Sequence, residues 1–286
     1  KIRLTSDVIP APFKSSHTGE EQWSVLQPMW HYSQILPHPE LLKGVPETAH
    51  EQKFACYPRI KKMADGRYIM FYMGGRLGSR IWYCTSDDLK TWTEPIMMYE
   101  PYYVDDGFDG KKDVVRYVNM DAVVLKSGEI LAVCSFRQHR GYAQGFGGGL
   151  MLTRSSDNGK TWSKPEQITD ACNWEPYLLE LPDGRIQCYF THAVPQYWNS
   201  GTSVMVSSDG GYSWTKPIRV CRQYKYNYRG QNIYTDQMPC FRVLNDGKTI
   251  VGYLESRLES KIPYDYKVKE YYASYCKVSM VYNDGL

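Results

Sequence analysis

The chain is 286 residues long, enough to bury a substantial core, and its 34 basic and 31 acidic residues leave a formal charge of only +3. With no Lys/Arg run and no basic helix, nucleic acid is excluded as the expected partner, and no apolar stretch reaches the ~18 residues of a membrane-spanning helix. The eight Cys are scattered, without a C-x-x-C pair or a Cys/His cluster, so neither a zinc site nor a cofactor is expected.

In chain order, residues 1–50 are irregular and rich in Pro and His, with one strand-like patch near 23–34. The chain begins at Lys1 rather than Met, consistent with a removed signal peptide, and a secreted, periplasmic or cell-surface protein is expected. From residue 57 a unit of strand, tight turn and strand recurs: YPRIKKMADGRYIMFYM (57–73), NMDAVVLKSGEILAVCSF (119–136), EPYLLELPDGRIQCYFTH (175–192) and QMPCFRVLNDGKTIVGYLES (237–256). Apolar residues alternate or run in short blocks, and Gly66, Gly128, Gly184 and Gly247 mark the turns. The first three units are each followed by a second motif, Ser/Thr-x-Asp-x-Gly-x-Thr/Ser-Trp, at 85–92, 155–162 and 207–214, closed by Pro95, Pro165 and Pro217. Asp beside Gly makes a tight turn in which the carboxylate accepts backbone N–H groups. The Trp is expected to pack that turn on its own sheet. The Gly slot of the first copy holds Leu89, so that turn is expected to be degenerate.

Repeats of this length signal a repeat architecture. Four strands per repeat, radially arranged, make an all-β fold, a β-propeller of four-stranded blades. A six-bladed ring is favoured and a five-bladed one fits; residues 51–286 supply the visible blades, and 1–50 can contribute to the last. The fourth repeat ends in KVSMVYNDGL (277–286), which reads as the opening of one more boxed turn. Two segments lie outside the repeat. The acidic insert YVDDGFDGKKD (103–113) reads as a solvated loop whose oxygens could also hold calcium, and the glycine-rich GYAQGFGGG (141–149) as a flexible rim loop without a phosphate-binding pattern.

In such a blade the turns lie on one face, so the starts of the inner strands and the ends of the second strands lie on the other. Aligned on their turn glycines, the units bring Tyr57, Asn119, Glu175 and Met238 to one level, with Arg59, Asp121 and Tyr177 two residues on. Arg76, Arg137, His192, Glu255 and Arg257 end the second strands, and Asp236, Gln237 and Trp174 flank the inner starts. Acids and bases converging on a concave site fit glycoside chemistry, which uses two carboxyl groups across one bond. Glu175, Glu255 and Asp121 are the catalytic candidates. Arg59, Arg76, Arg137, His192, Tyr57, Trp174, Tyr177, Asp236, Gln237 and Arg257 are the substrate-binding ones, because Arg forks suit anionic or polyhydroxylated ligands. The expected partner is an oligo- or polysaccharide; oligomeric state is left open.

The boxes resemble the Asp-box, or BNR repeat, of the sialidase superfamily over roughly residues 55–286. In Tyr57-Pro58-Arg59-Ile60, Arg59 resembles the first Arg of the sialidase triad, although the loop 74–80 (GGRLGSR) has no carboxylate where that family places its Asp. The pattern is more similar to exo-acting arabinanases and their BNR relatives. Glu175 in WEPYLLELPDG and Glu255 after Gln237-Met238-Pro239 resemble their catalytic positions, which implies Glu175 as nucleophile and Glu255 as acid/base. Three readings stay open: an exo-glycosidase, a sialidase or keto-sugar-acid hydrolase drawing its Asp from 103–113, and a non-catalytic propeller holding sugar on Tyr57, Trp174, Tyr177, Tyr197 and Trp198.

Overall fold

A computed structural model describes residues 56–74, 79–105, 109–194, 199–221, 234–258 and 275–283. The irregular segment 1–50, Arg76, Tyr197, Trp198 and the last residues 284–286 lie outside them, and of Arg257 only the backbone is described. The first sheet runs β1 (Cys56–Lys62), β2 (Tyr68–Gly74), β3 (Arg80–Ser86), β4 (Ile96–Tyr99), in spatial order and antiparallel. The second adds β5 (Tyr102–Asp105) to the inner edge of β6 (Lys112–Val124), followed by β7 (Ile130–Gln138), β8 (Gly148–Ser155) and β9 (Glu166–Thr169). The third comprises β10 (Asn173–Glu180), β11 (Ile186–Val194), β12 (Asn199–Ser207) and β13 (Ile218–Cys221). The fourth, β14 (Tyr234–Val243), β15 (Ile250–Leu258) and β16 (Tyr275–Asn283), joins the third through one parallel pairing, Ser200 with Thr235. Among the described residues these make four propeller blades, I to IV. No helix among the described residues is long and apolar enough to cross a membrane.

Strands form here because β-branched and aromatic residues alternate between turns that demand Gly. Gly66, Gly128, Gly184 and Gly247 all have positive φ (89°, 89°, 88° and 70°), a region closed to most side chains. Successive blades bury their apolar faces against each other. Phe71, Ile81 and Tyr83 meet Met120, Ala122 and Cys134 between I and II. Leu131, Val133 and Leu150 meet Leu178, Cys188 and Phe190 between II and III, and Tyr189 stacks on Phe241, 3.7 Å between ring centroids, between III and IV.

The boxed turns correct the sequence reading twice. Trp162, from the box of blade II, packs edge-on against Phe71 and Tyr83 of blade I, 5.8 Å between centroids in each case. Trp214, from the box of blade III, joins the core between II and III. The box is therefore a staple between blades, because its hairpin overhangs the neighbour's apolar face. Arg154 of blade II completes the second staple by donating to the carbonyl oxygens of Gly210 and Gly211 and lying 3.8 Å over the Tyr212 ring.

The second correction concerns register. In blade II Ser155 Oγ accepts from Gly159 N–H and Asp157 accepts from Thr161; in blade III Ser207 and Asp209 do the same for Gly211 and Ser213. In blade I the equivalent pair is Ser86 and Asp88, with Leu89 N–H donating to Ser86 Oγ at 2.8 Å. The first box is one residue shorter, and Leu89 takes the glycine's left-handed conformation (φ 64°). The turn forms in spite of Leu89 because five hydrogen bonds among Ser86, Asp88 and the backbone outweigh its strain.

Within segment 103–113 the described residues include strand as well as loop: β5 pairs with the start of β6, with Tyr103, Asp105 and Lys112 exposed. Its described carboxylates are engaged, Asp105 by Lys112, Asp109 by Lys111 and Arg140, and Asp113 by the N–H groups of Val114, Arg140 and Gly141, while Asp106 lies outside the described residues. No metal-holding cluster of His, Cys, Asp or Glu occurs among the described residues. Asp113 also fixes the glycine-rich segment, in which Tyr142–Gln144 form a 3-10 turn. Blades III and IV line a cavity of about 370 Å³ at their turn ends, walled by Gln187, Tyr189, Val204 and Phe241. Gln187 and Tyr189 stand as far past Gly184 as Ile69 and Phe71 do past Gly66, and Val204 pairs with Tyr189 as Tyr83 does with Phe71; in blade I those three positions receive the box of blade II.

Candidate functional site

The inner strands β1, β6, β10 and β14 lie side by side, and each carries a one-residue bulge at the same level. The pairing slips between Cys56 and Arg59, Val118 and Met120, Trp174 and Tyr177, and Gln237 and Cys240. At each slip one non-glycine residue has positive φ: Tyr57 (58°), Asn119 (48°), Glu175 (45°) and Met238 (54°). Three of these precede Pro, which removes a ladder donor and so fits a bulge. Bulges re-aim side chains, and strained residues held by their surroundings concentrate at functional sites.

Glu175 is the best-anchored of the four. Its Oε2 accepts from Thr191 Oγ1 at 2.7 Å and from Met238 N–H at 3.3 Å, and Met238 N–H also reaches Thr191 Oγ1 at 3.0 Å. Oε1 has no hydrogen bond among the described residues. Burial raises the Glu175 carboxyl above its ordinary value; the bonds from Thr191 and Met238 and the Arg137 charge pull it back, and the Glu255 charge adds to the rise. Glu255 on β15 pairs with Gln237, the residue before Met238. The charge of Glu255, on blade IV, thus reaches the Glu175 carboxyl on blade III.

Arg137, at the end of β7, lies 3.2 Å over the Trp174 ring and 5.0 Å from the Tyr142 ring centre. Burial lowers it to about 10, opposed by the fields of Tyr142 and Glu175, so it stays charged at neutral pH. On the other side Arg59 stacks 4.0 Å over Tyr57. Burial holds the Tyr57 hydroxyl protonated; Arg59 opposes this, while Glu175 and Asp121 reinforce it.

A model of the BNR repeat-like domain matches residues 13–220. The chain belongs to that family. Among solved structures, this BNR repeat-like chain resembles an α-L-arabinanase of Penicillium chrysogenum complexed with arabinobiose (TM-score 0.53, 17% identity, 79% of this chain and 62% of that one). It also resembles the α-L-arabinofuranosidase Arb93a of Fusarium graminearum with an iminosugar inhibitor (0.52, 15%, 81% and 68%), and the Hadza microbial sialidase Hz136 (0.52, 16%, 72% and 42%). The chain thus spans under two thirds of the arabinanase and under half of the sialidase, and at these identities the likeness is one of fold. No curated protein matches it in sequence.

The BNR chain groups the stacked pairs Arg59–Tyr57 and Arg137–Trp174 about Glu175, whose carboxyl also feels the charge of Glu255. Asp121 is different: it is fully buried, its Oδ2 accepts from Leu178 N–H at 2.8 Å, and its Oδ1 lies 2.9 Å from Lys61 Nζ and 3.9 Å from Arg59 Nε. That carboxylate ties the inner strands of blades I, II and III and has no face toward a ligand. Asp236 is likewise buried, accepting from Ser256 at 2.6 Å. His192 Nδ1 lies 3.2 Å from Ser203 Oγ, and Lys61 Nζ lies 5.6 Å from the Tyr177 ring centre. Gln237 is half-buried beside the bulge. Sequence reasoning missed Thr191 and Tyr142. Thr191 pairs with Trp174, a register that follows by counting back from Gly184 only if the bulge is known. Tyr142 sits in a segment with no repeat to align.

Proposed function

We propose that the chain is an exo-acting glycoside hydrolase that removes a terminal sugar from a glycan at the opening around Glu175. The observation that carries this is the anchored carboxylate: a Glu held in a strained bulge by Thr191 and Met238, with a second Glu beside it. Two carboxyl groups across a glycosidic bond suffice for the chemistry. Glu175 is the nucleophile in this reading: two donors and Arg137 favour its anion, burial strips it of water, and Oε1 remains to attack the anomeric carbon. Glu255 protonates the leaving oxygen and then activates water. Arg59, Tyr57 and Arg137 orient the ring. The likeness to arabinan-degrading propellers makes α-L-arabinofuranosides the first substrates to test. A keto-sugar-acid hydrolase would draw its acid from 103–113, where Asp105, Asp109 and Asp113 are already engaged and Asp106 lies outside the described residues. A glycan-binding protein exported to meet its substrate is part of the same proposal.

The test is a panel of arabinoside, sialoside and uronide substrates against wild type, Glu175→Ala and Glu255→Ala. Both variants should lose turnover by 10³-fold or more, on the order of 4 kcal/mol in the barrier. Azide should restore Glu175→Ala with an inverted glycosyl azide, and Glu255→Ala with a retained one on activated substrates. Turnover indifferent to Glu175→Ala overturns the mechanism.

A further inference from the structure

Opposite the residue that precedes each bulge stands one residue of the second strand. Met73 pairs with Cys56, Ser135 with Val118, Thr191 with Trp174 and Glu255 with Gln237. At the junction of blades I and II, Met73 Sδ accepts the N–H of Asn119, the bulge residue of the next blade, at 3.0 Å. At the junction of III and IV, Thr191 Oγ1 accepts the N–H of the bulge residue Met238, also at 3.0 Å. The Ser135 hydroxyl is buried without a hydrogen-bond partner among the described residues. A thioether, a weak acceptor, therefore suffices to seat a bulge against the preceding blade, and the fold does not call for a hydroxyl there.

Thr191 does what Met73 and Ser135 do not. Its single O–H donates to Glu175 Oε2 at 2.7 Å, while its oxygen takes the Met238 N–H from the other side. Only 2% of the residue is exposed, so bulk water does not compete for either bond. Behind it, Thr202 on β12 pairs with Thr191 and donates to the carbonyl oxygen of Asp236 at 3.0 Å, which pins the strand two residues before Met238. That strand also pairs with Glu255.

Resting on the hydrolytic reading, we propose that Thr191 is a positioning residue of the reaction, whose hydroxyl fixes one oxygen of Glu175 and with it the direction of the carboxylate. An anion gains more from such a donor than a neutral acid does, since charge-assisted hydrogen bonds are about twice as strong as neutral ones. Burial raises the Glu175 carboxyl; Thr191, the Met238 N–H and Arg137 on β7 pull it down, and Glu255 on β15 pushes it up. Tyr57 on β1 and Tyr142 of the 3-10 turn also feel the Glu175 charge, and burial keeps both hydroxyls protonated. His192, next on β11, turns to the opposite face, toward Ser203. Loss of the Thr191 hydroxyl thus acts in one direction: Glu175 ionises at a higher pH, and activity is lost first on the acid side.

The test compares Thr191→Val, which keeps the shape and removes the hydroxyl, with Thr191→Ser, which keeps the hydroxyl. In Thr191→Val the Met238 N–H retains Glu175 Oε2 at 3.3 Å, so no backbone donor is orphaned. Two quantities are read: the pH dependence of kcat/KM on the arabinoside, sialoside and uronide panel, and the Glu175 carboxyl titration by NMR of glutamate-labelled chain. The Glu175 signal is the one lost in Glu175→Gln. Thr191→Val should move the acid limb and the titration midpoint up together by about one pH unit, which lowers kcat/KM about tenfold below the limb. Thr191→Ser should restore both. Thr191→Ala, also without the hydroxyl, carries the same prediction if urea unfolding shows Thr191→Val to be unfolded. A limb and midpoint unmoved in a folded chain without the hydroxyl overturn the proposal and leave the hydrolase reading standing, as does a Thr191→Ser chain that behaves like Thr191→Val. A midpoint that moves while wild type hydrolyses nothing in the panel overturns the hydrolase reading, and the positioning role falls with it.

Discussion

Asp121→Asn is expected to destabilise the protein by about 3 kcal/mol, through loss of charge alone. The carboxylate is fully buried, with Lys61 Nζ at 2.9 Å and Arg59 Nε at 3.9 Å on the same oxygen. An amide can still accept the Leu178 N–H that Asp121 takes at 2.8 Å, so that bond survives. Removing one partner of a buried ion pair costs about 3–5 kcal/mol. Lys61 and Arg59 keep 23% and 30% of their side chains exposed and can recover some hydration, which sets the lower end. Urea unfolding followed by tryptophan fluorescence reads the loss. Lys61→Met, alone and combined with Asp121→Asn, supplies the rest of a double-mutant cycle, in which coupling of about 1 kcal/mol or more is expected. An Asp121→Asn chain as stable as wild type, or losses that simply add, would refute Asp121 as the tie between three blades.

Glu175→Gln should be more stable than wild type at neutral pH. The fold raises the Glu175 carboxyl above its ordinary 4.5, so the ionised form costs stability as pH rises through that window; the gain should vanish in melts below pH 4.5 and persist above it. Gly211→Ala should cost about 2 kcal/mol, since φ is 87° and a methyl would sit 2.9 Å from the buried Leu131 side chain. Gly184→Ala, with φ 88° and nothing within 4 Å, should cost only the backbone part, about 1 kcal/mol. Equal losses in chemical denaturation would argue against the staple. Leu89→Asn should stabilise by roughly 0.5–1 kcal/mol, because Asn tolerates the left-handed conformation that Leu89 holds.

Strand order and blade register were legible because the turns speak through backbone requirements. Only Gly fits φ near 89° at Gly66 and Gly128, so those letters recur and fix the register of every strand beside them. The boxes were legible as turns but not as staples. Nothing in SSDNGKTW says whether Trp162 folds back or reaches Phe71 of the preceding blade, because that depends on how sheets stack. The slip in the first box was hidden for a related reason. Thr85 and Asp87 fit the letters as well as Ser86 and Asp88 do, and only the hydrogen bonds of Leu89 and Thr91 decide. Asp121 shows the limit for the site: its level in the blade was readable, but whether a carboxylate there faces a ligand or Lys61 is a matter of packing between strands far apart in sequence.

The bulges sharpen the functional argument in a way the letters alone do not. The four hairpin turns within the blades place glycine at their left-handed position, Gly66, Gly128, Gly184 and Gly247, while the boxed turns also admit Leu89 and Asn158. At the bulges the φ values are smaller, 45–58°, and the left-handed positions hold Tyr57, Asn119, Glu175 and Met238. Each of these holds a conformation that costs an L-residue about 1–2 kcal/mol, and glycine would have removed that strain. The side chains differ from blade to blade while the geometry repeats. The repeated geometry is a matter of strand pairing, and the proposed site would draw on the side chains that differ, Glu175 above all.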